Sequence, residues 1–329
     1  MHSNATKQFL ALVLVLPGLA LAWPVTAHAA PADAQPVHMI VPLAPATTAD
    51  LAARLIGRHF SRVLGRPVLV ENQPAASGVP ATAQIVRGAQ DGSVLGMVAS
   101  NHVINRAMGK PMPYDPLTGV APITVIGSFP LVLVAVPSLP VQGAQDLIAL
   151  ARARPGVLNY GSGGAGSLLQ LAAELLRVEA GGFDVQHVPY NGTAQMTADL
   201  LRNQIQFGFL SAAVATPLIR SGKLRALGVS TRERSAFLPG VPTLAEQGLP
   251  GYSFDAWLAL VAPAGLPPQM VARYHALAQE ALASPEVRDA LARQGMTFIG
   301  NSPAQAAAFL ASELDKHTAL VRQSGAALE

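Results

Sequence analysis

The sequence predicts an α/β protein built from two similar units. Three observations predict it. Strand-like and helix-like segments alternate twice along the chain, which is the pattern of a parallel sheet. With 329 residues the chain is long enough for two domains of ordinary size. Half of its residues are apolar, only 12% are charged and none is cysteine, so stability must come from hydrophobic cores. The formal net charge of +3 is too small for a nucleic-acid footprint. The missing thiols exclude cysteine nucleophiles and sulfur-ligated metals.

The N-terminus is expected to lie outside the fold. Lys7 precedes an apolar run over residues 9–22, and Ala27-His28-Ala29 supplies an A-x-A cleavage site. The run is shorter than the ~20 residues of a spanning helix. Residues 1–29 therefore read as a secretory signal peptide cleaved near Ala29/Ala30.

In the first unit, residues 37–42 read as a strand and a loop follows. Asp50 opens a helix carrying Leu51, Leu55, Phe60 and Val63, which Gly65 ends. Residues 67–71 give a strand, 82–88 a helix and 94–100 a strand. Residues 123–136 are rich in β-branched residues and are expected to break at Gly127 and Pro130. In the second unit a helix over 142–154 precedes a strand over 158–160. The turn Gly161-Ser162-Gly163-Gly164-Ala165-Gly166 then leads into a helix with Leu168, Leu171, Ala172, Leu175 and Leu176 on one face. Ser167 with Gln170 predicts a capping box there, and Ser302 with Gln305 a second one. Strands over 185–188 and 205–210 enclose a helix over 193–202, and residues 223–230 continue the unit. A strand over 255–261 and helices opened by Pro267-Pro268, Pro285 and Ser302 complete the chain.

Read literally, residues 161–166 are G-x-G-x-x-G after a strand and before a helix, with Asp184 at about the spacing of a ribose-binding acid. The mid-chain position and the expected export speak against a dinucleotide. What remains is a turn that presents backbone N–H groups at a helix N-terminus. It is either an anion seat, with Ser162 and Ser167 as extra donors, or a tight turn with Ser167 as the cap. The loop after the first strand, with Ala44, Pro45, Ala46, Thr47, Thr48 and Asp50, occupies the equivalent place, where open α/β sheets bind ligands. Nucleophile signatures are absent, since Tyr160 stands where G-x-S-x-G needs glycine. His38, His59, His102, His187, His275 and His317 form no metal-binding pair and read as surface or internally satisfied side chains.

Over almost its full length the sequence after residue 29 resembles the extracytoplasmic solute receptors of tripartite tricarboxylate transporters, the TctC or Bug family. The matching stretches, in order, include Met39-Ile40-Val41-Pro42-Leu43-Ala44-Pro45 with Asp50 and Arg54, Tyr114-Asp115-Pro116 and Tyr160-Gly161-Ser162-Gly163-Gly164-Ala165-Gly166-Ser167. They continue with His187-Val188-Pro189-Tyr190-Asn191-Gly192, Leu238-Pro239-Gly240-Val241-Pro242-Thr243 and Trp257 with Ala262-Pro263-Ala264-Gly265.

The resemblance implies a two-lobed periplasmic binding protein of the Venus-flytrap, type II-like kind. Its two parallel or mixed sheets, flanked by helices, would be joined by two crossing strands near 131–136 and 254–261. Residues 36–130 plus 256–329 would form lobe one and 131–255 lobe two. It implies a monomeric, non-enzymatic receptor without cofactor or metal that takes a small carboxylate or small polar ligand to a membrane permease. An exported α/β enzyme and a dinucleotide oxidoreductase are the competing readings. The expected ligand-binding residues are Ala44, Pro45, Ala46, Thr47, Thr48, Asp50, Ser100, Asn101, Gly161, Ser162, Gly163, Gly166, Ser167, Pro189, Tyr190 and Gly192. The family usually has two glycines where this chain has Ala46 and Thr47. It commonly has histidine at Gln170 and aspartate at Leu210, and a glycine-rich stretch at residues 75–78. The expectation is a locally different first loop, with Thr47 or Thr48 hydroxyls filling space, and a smaller cleft that favours a compact monocarboxylate or neutral polar ligand.

Overall fold

The computed structural model describes residues 35–326. The predicted signal peptide and its cleavage site lie outside the described residues.

In the first half of the sheet, β1 (Val37–Val41) lies between β2 (Val68–Asn72) and β3 (Val94–Ala99), all parallel. β3 pairs antiparallel with β9 (Asp255–Pro263), and β9 with β4 (Val120–Ala135). Both faces are covered, as a parallel sheet requires. Val37, Met39 and Val41 pack with Phe60 of α1 (Thr48–Leu64), Tyr274 of α8 (Pro268–Ala283) and Leu291 of α9 (Pro285–Ala292). Ile40, Val98 and Trp257 pack on the other face with Ile85 of α2 (Val79–Val86) and Leu310 of α10 (Pro303–Ser324). The period-2 alternation along β1 sorts these residues between the two layers.

In the second half, β5 (Asn159–Ser162) lies between β6 (Gln186–Pro189) and β7 (Phe207–Ser211), all parallel, and β7 and β8 (Arg225–Val229) pair antiparallel with β4. Their core takes in Leu131–Ala135, Tyr160, Phe207 and Phe209, covered by α4 (Ala144–Ala153), α5 (Leu168–Glu179), α6 (Thr193–Leu201) and α7 (Ala212–Arg220).

One correction concerns β4. Instead of breaking at Gly127 and Pro130, it runs unbroken for 16 residues and belongs to both halves. Register shifts at Pro122/Thr124 and Val125/Gly127 absorb the irregular residues. Pro130 falls where the partner changes, opposite Asp255, and Leu131 already pairs with Ser211. Its missing N–H costs little there, and the N–H of Leu131 is taken by the Ser230 hydroxyl at 2.9 Å. A bare Cα is required at Gly127, because a Cβ would lie 2.4 Å from the carbonyl of Thr297 in β10 (Thr297–Phe298).

Among the described residues, α3 (Asn101–Ala107), α7, β10 and a 3-10 turn at Ala75–Gly78 are additional to the expected set. Pro217 inside α7 disguises that helix in the sequence. Of the two predicted capping boxes, Ser302/Gln305 forms completely. At α5 only half forms: Ser167 Oγ accepts the N–H of Gln170, but the Gln170 side chain turns to Gly166 instead.

Candidate functional site

Strand direction places the site. β3 ends at Ala99, and Asp255 of its partner β9 lies opposite Pro130; β7 ends at Ser211, opposite Leu131. The C-terminal ends of the parallel strands in both halves therefore approach the middle of β4 from opposite directions. The loops there carry residues 42–47, 73–78 and 100–101 from the first half, and 163–167, 190–192 and 211 from the second. This is where ligands bind to open α/β sheets.

The first loop is internally committed. Thr47, not Asp50, is the N-cap of α1; its hydroxyl donates to Ala44 O at 2.8 Å and accepts the N–H of Asp50 at 3.3 Å. The Thr47 hydroxyl is thus taken up within the loop rather than filling the cleft. Asp50 sits in the first helical turn, where its carboxylate accepts the N–H of Ala46 at 3.0 Å and pairs with Arg54 at 2.9 Å. Burial pushes its pKa up. The Arg54 bond, the Ala46 N–H, Asn72 and the Arg54 charge outweigh this and hold the carboxyl below its usual value. Ala46 adopts φ 63 although it carries a Cβ, while Thr47 is extended at φ −80.

The neighbouring loop after β2 is strained as well. Ala76 and Ser77 have φ 47 and 55. Asn101 and Asn105 donate to Ser77 O at 2.6 and 3.1 Å, and Lys110 Nζ reaches Ser77 Oγ at 3.0 Å. Burial lowers the Lys110 pKa. Ser100 is buried, and its hydroxyl accepts the N–H of Trp257, tying α3 to β9.

The glycine loop after β5 differs. Gly161 is a packing glycine: a Cβ there would lie 2.4 Å from Ile205 and 2.8 Å from Met196. Ser162 is fully buried; its hydroxyl meets His187 Nε2 at 2.7 Å, donates to Gly164 O at 3.0 Å and accepts the N–H of Gly164 at 3.2 Å. The Ser162 hydroxyl thus shapes the loop from within. Gly166 donates to Gln170 Oε1 at 2.6 Å, and Ser167 to Gly164 O at 3.1 Å. Among the described residues, the N–H groups of Gly163 and Ala165 make no bond within the chain. They sit, partly exposed, before α5, whose first turn carries no acid. A helix N-terminus with free donors and no compensating carboxylate favours an anion.

Pro189 ends β6, and Tyr190 is nearly buried, its pKa raised by burial and by the Asp199 carboxylate. Gly192, at φ 113, caps α6. Leu210 is fully buried in the second core, so its side chain does not contribute to the site. Asp184 precedes β6, whereas the glycine loop follows β5, and these strands are parallel in register from Asn159↔Gln186 to Ser162↔Pro189. The acid and the loop therefore stand at opposite strand ends, which removes the dinucleotide geometry.

Sequence reasoning missed Gln170 and His187 as supports of the loop. His187 lay in a recognised stretch, but only the strand pairing of β5 with β6 brings it under Ser162. It also missed a cavity of about 520 Å³ beside the strand crossing, lined by Ser128, Pro130, Phe237, Asp255 and Gly295 among others and by none of the predicted ligand residues. Burial there, helped by the Glu313 charge and only partly offset by Lys316, raises the Asp255 carboxyl to about 6.

Comparison with known proteins fits this geometry. A family model described as the tripartite tricarboxylate transporter family receptor, TctC, matches residues 52–326. Protein BugT of Bordetella pertussis is 33% identical over 99% of this chain and 100% of its own length. The solved structure of R. palustris Rpa4515 with adipate superposes with a TM-score of 0.81 at 31% identity, covering 88% of this chain and 97% of that one. MatC from Rhodopseudomonas palustris with bound malate gives 0.77 at 28% identity, covering 87% and 98%.

Proposed function

Because the chain belongs to the tripartite tricarboxylate transporter receptor family, a family of periplasmic solute-binding proteins, we propose that it captures a small organic acid between its two lobes and delivers it to a tripartite membrane permease. The observation that carries this reading is the pair of free N–H groups at Gly163 and Ala165. They stand at an acid-free helix N-terminus, at the level where the strands of both halves end. Two neighbours of the same fold hold dicarboxylates, adipate and malate, which supports a carboxylate as the ligand class.

In this reading lobe one is residues 36–130 plus 256–329 and lobe two is 131–255. They hinge at Pro130–Leu131 of β4 and at the start of β9. The two hydrophobic clusters that flank the first half of the sheet and the cluster of the second, which also takes in Ile104, Met108 and Leu320, support that division. The receptor is a monomer that acts without turnover, and residues 1–29 direct its export.

A thermal-shift screen of residues 30–329 against mono-, di- and tricarboxylates, amino acids and small amides tests this reading. A ligand at 100 times its Kd stabilises by about 2.7 kcal/mol. A soluble monomer stabilised by a carboxylate is the expected result. Stabilisation by a nicotinamide nucleotide alone, or chemical conversion of the bound acid, would contradict it.

A further inference from the structure

Resting on that carboxylate reading, we propose that Lys110, set in place by Ser77, is the specificity-determining residue that takes the second carboxylate of a diacid. The receptor then prefers a dicarboxylate to the monocarboxylate of the same chain length.

The backbone places the pair. Ser77 holds φ 55 and Ala76 φ 47, left-handed backbone that is costly for residues with a Cβ. Two side-chain amides from α3, Asn101 at 2.6 Å and Asn105 at 3.1 Å, donate to Ser77 O and fix that turn. The next residue, Gly78, lies so close to Pro42 that a Cβ would stand 2.5 Å from the proline ring. The loop after β2 therefore leans on the loop after β1, at the strand ends where the site lies. What this strained turn holds out is the Ser77 hydroxyl, which accepts Lys110 Nζ at 3.0 Å. Lys110 also stands at the border between the halves. α3 sends Ile104 and Met108 into the hydrophobic cluster of the second half, and Lys110 follows Met108 by two residues.

The charge is the second observation. Lys110 is half-buried, and among the described residues its ammonium has no ion pair and no hydrogen bond besides Ser77. The acids nearby are engaged elsewhere. Asp50 pairs with Arg54, and Glu71 with His38. Asp115 accepts the N–H groups of Leu117 and Thr118. Arg54, at the same strand ends, is spent on Asp50 and Asn72. A partly buried cation without a counter-ion is costly to the free protein, and an arriving anion removes that cost. Burial lowers the Lys110 pKa with no acid to offset it, in keeping with this. The ammonium and the adjacent Ser77 hydroxyl both donate, which suits the two oxygens of one carboxylate.

A diacid answers both halves: one carboxylate on the N–H groups of Gly163 and Ala165, the other on Lys110 and Ser77. It replaces the compact monocarboxylate expected from the first loop, whose Thr47 hydroxyl is committed to its own helix cap.

The test is calorimetric titration with two matched pairs, adipate against hexanoate and malate against 3-hydroxybutyrate. The wild type should bind each diacid more tightly than its monoacid. In Lys110→Met the ratio of monoacid to diacid Kd should fall about tenfold, because one charge-assisted contact is lost. In Ser77→Ala, which keeps the charge and removes its anchor, the ratio should fall about threefold. A merely structural Lys110 would weaken both acids of a pair alike and leave the ratio unchanged, which overturns the proposal. So does a wild type without preference for the diacids. In both cases the carboxylate reading stands, because acids still bind. If none of the four acids binds the wild type, the carboxylate reading itself fails and takes the role of Lys110 with it.

Discussion

The loop after β1 and the loop after β5 are built to one plan and differ in one charge. Both follow the middle strand of a parallel trio, and both enter a helix whose N-cap hydroxyl accepts the N–H three residues on, Thr47 to Asp50 and Ser167 to Gln170. In both, that third residue reaches back to a loop N–H, Ala46 in one case and Gly166 in the other. In the first loop the residue is a carboxylate, so the positive end of α1 is already answered by Asp50. In the second it is an amide, so the end of α5 is not. The comparison teaches that an N-terminal helix turn becomes an anion seat only where the chain withholds its own anion. In the proposed reading the glycine loop is the carboxylate seat, and the first loop, whose helix end Asp50 already answers, lines the site beside it.

The largest expected effect comes from Gly164→Ala. Gly164 has φ 125, and a Cβ would lie 3.3 Å from Tyr190 O. The loop must refold, and binding of adipate or malate should weaken by more than about tenfold, ~1.4 kcal/mol, measured by calorimetry. Unchanged affinity would break the comparison.

The strand crossing serves as the control region. The pKa of the Asp255 carboxyl is raised from 3.8 to about 6, so the native state holds its proton more tightly than the unfolded chain does. Stability contributed by this group is present below about pH 4 and is lost as the pH climbs to 6. Asp255→Asn should therefore stabilise the protein by about 1–3 kcal/mol at pH 8 and by little at pH 4, read from denaturant melts at both values. Ligand affinity measured alongside should barely move if the loops alone set it.

Removing either cap hydroxyl should cost roughly 1 kcal/mol of stability. The comparison predicts that Thr47→Ala leaves affinity intact, while Ser167→Ala lowers it by disturbing the seat. The smallest effect belongs to Ala46→Gly. A residue with a Cβ pays roughly 1–2 kcal/mol for left-handed backbone, against about 0.5–1 for the extra freedom of glycine. The variant should be about 0.5–1 kcal/mol more stable, with the same ligand preference. A changed preference would restore the first loop as the selector.

Much of this fold is legible in the sequence because its strands and helices carry clean periods and clear caps, as in 37–42 or the apolar face of α5. The long β4 is not, because Gly127 and Pro130 signal breaks that only the change of partner strands makes harmless. α7 hides behind Pro217. In the site, the positions of both loops follow from strand–turn–helix order alone. Which side chains are committed inside them does not. The sequence leaves Ser162 open between ligand donor and turn residue, and only the pairing of β5 with β6 puts His187 against its hydroxyl. Gln170 reads as half of a capping box until the structure shows it bound to Gly166.

The most direct test is a crystal structure of the protein with malate or adipate. The account predicts a carboxylate oxygen within about 3 Å of the backbone nitrogens of Gly163 and Ala165, with Asp50 still bound to Ala46 N–H. A carboxylate seated instead on residues 44–47, with the glycine loop making no contact, would contradict it.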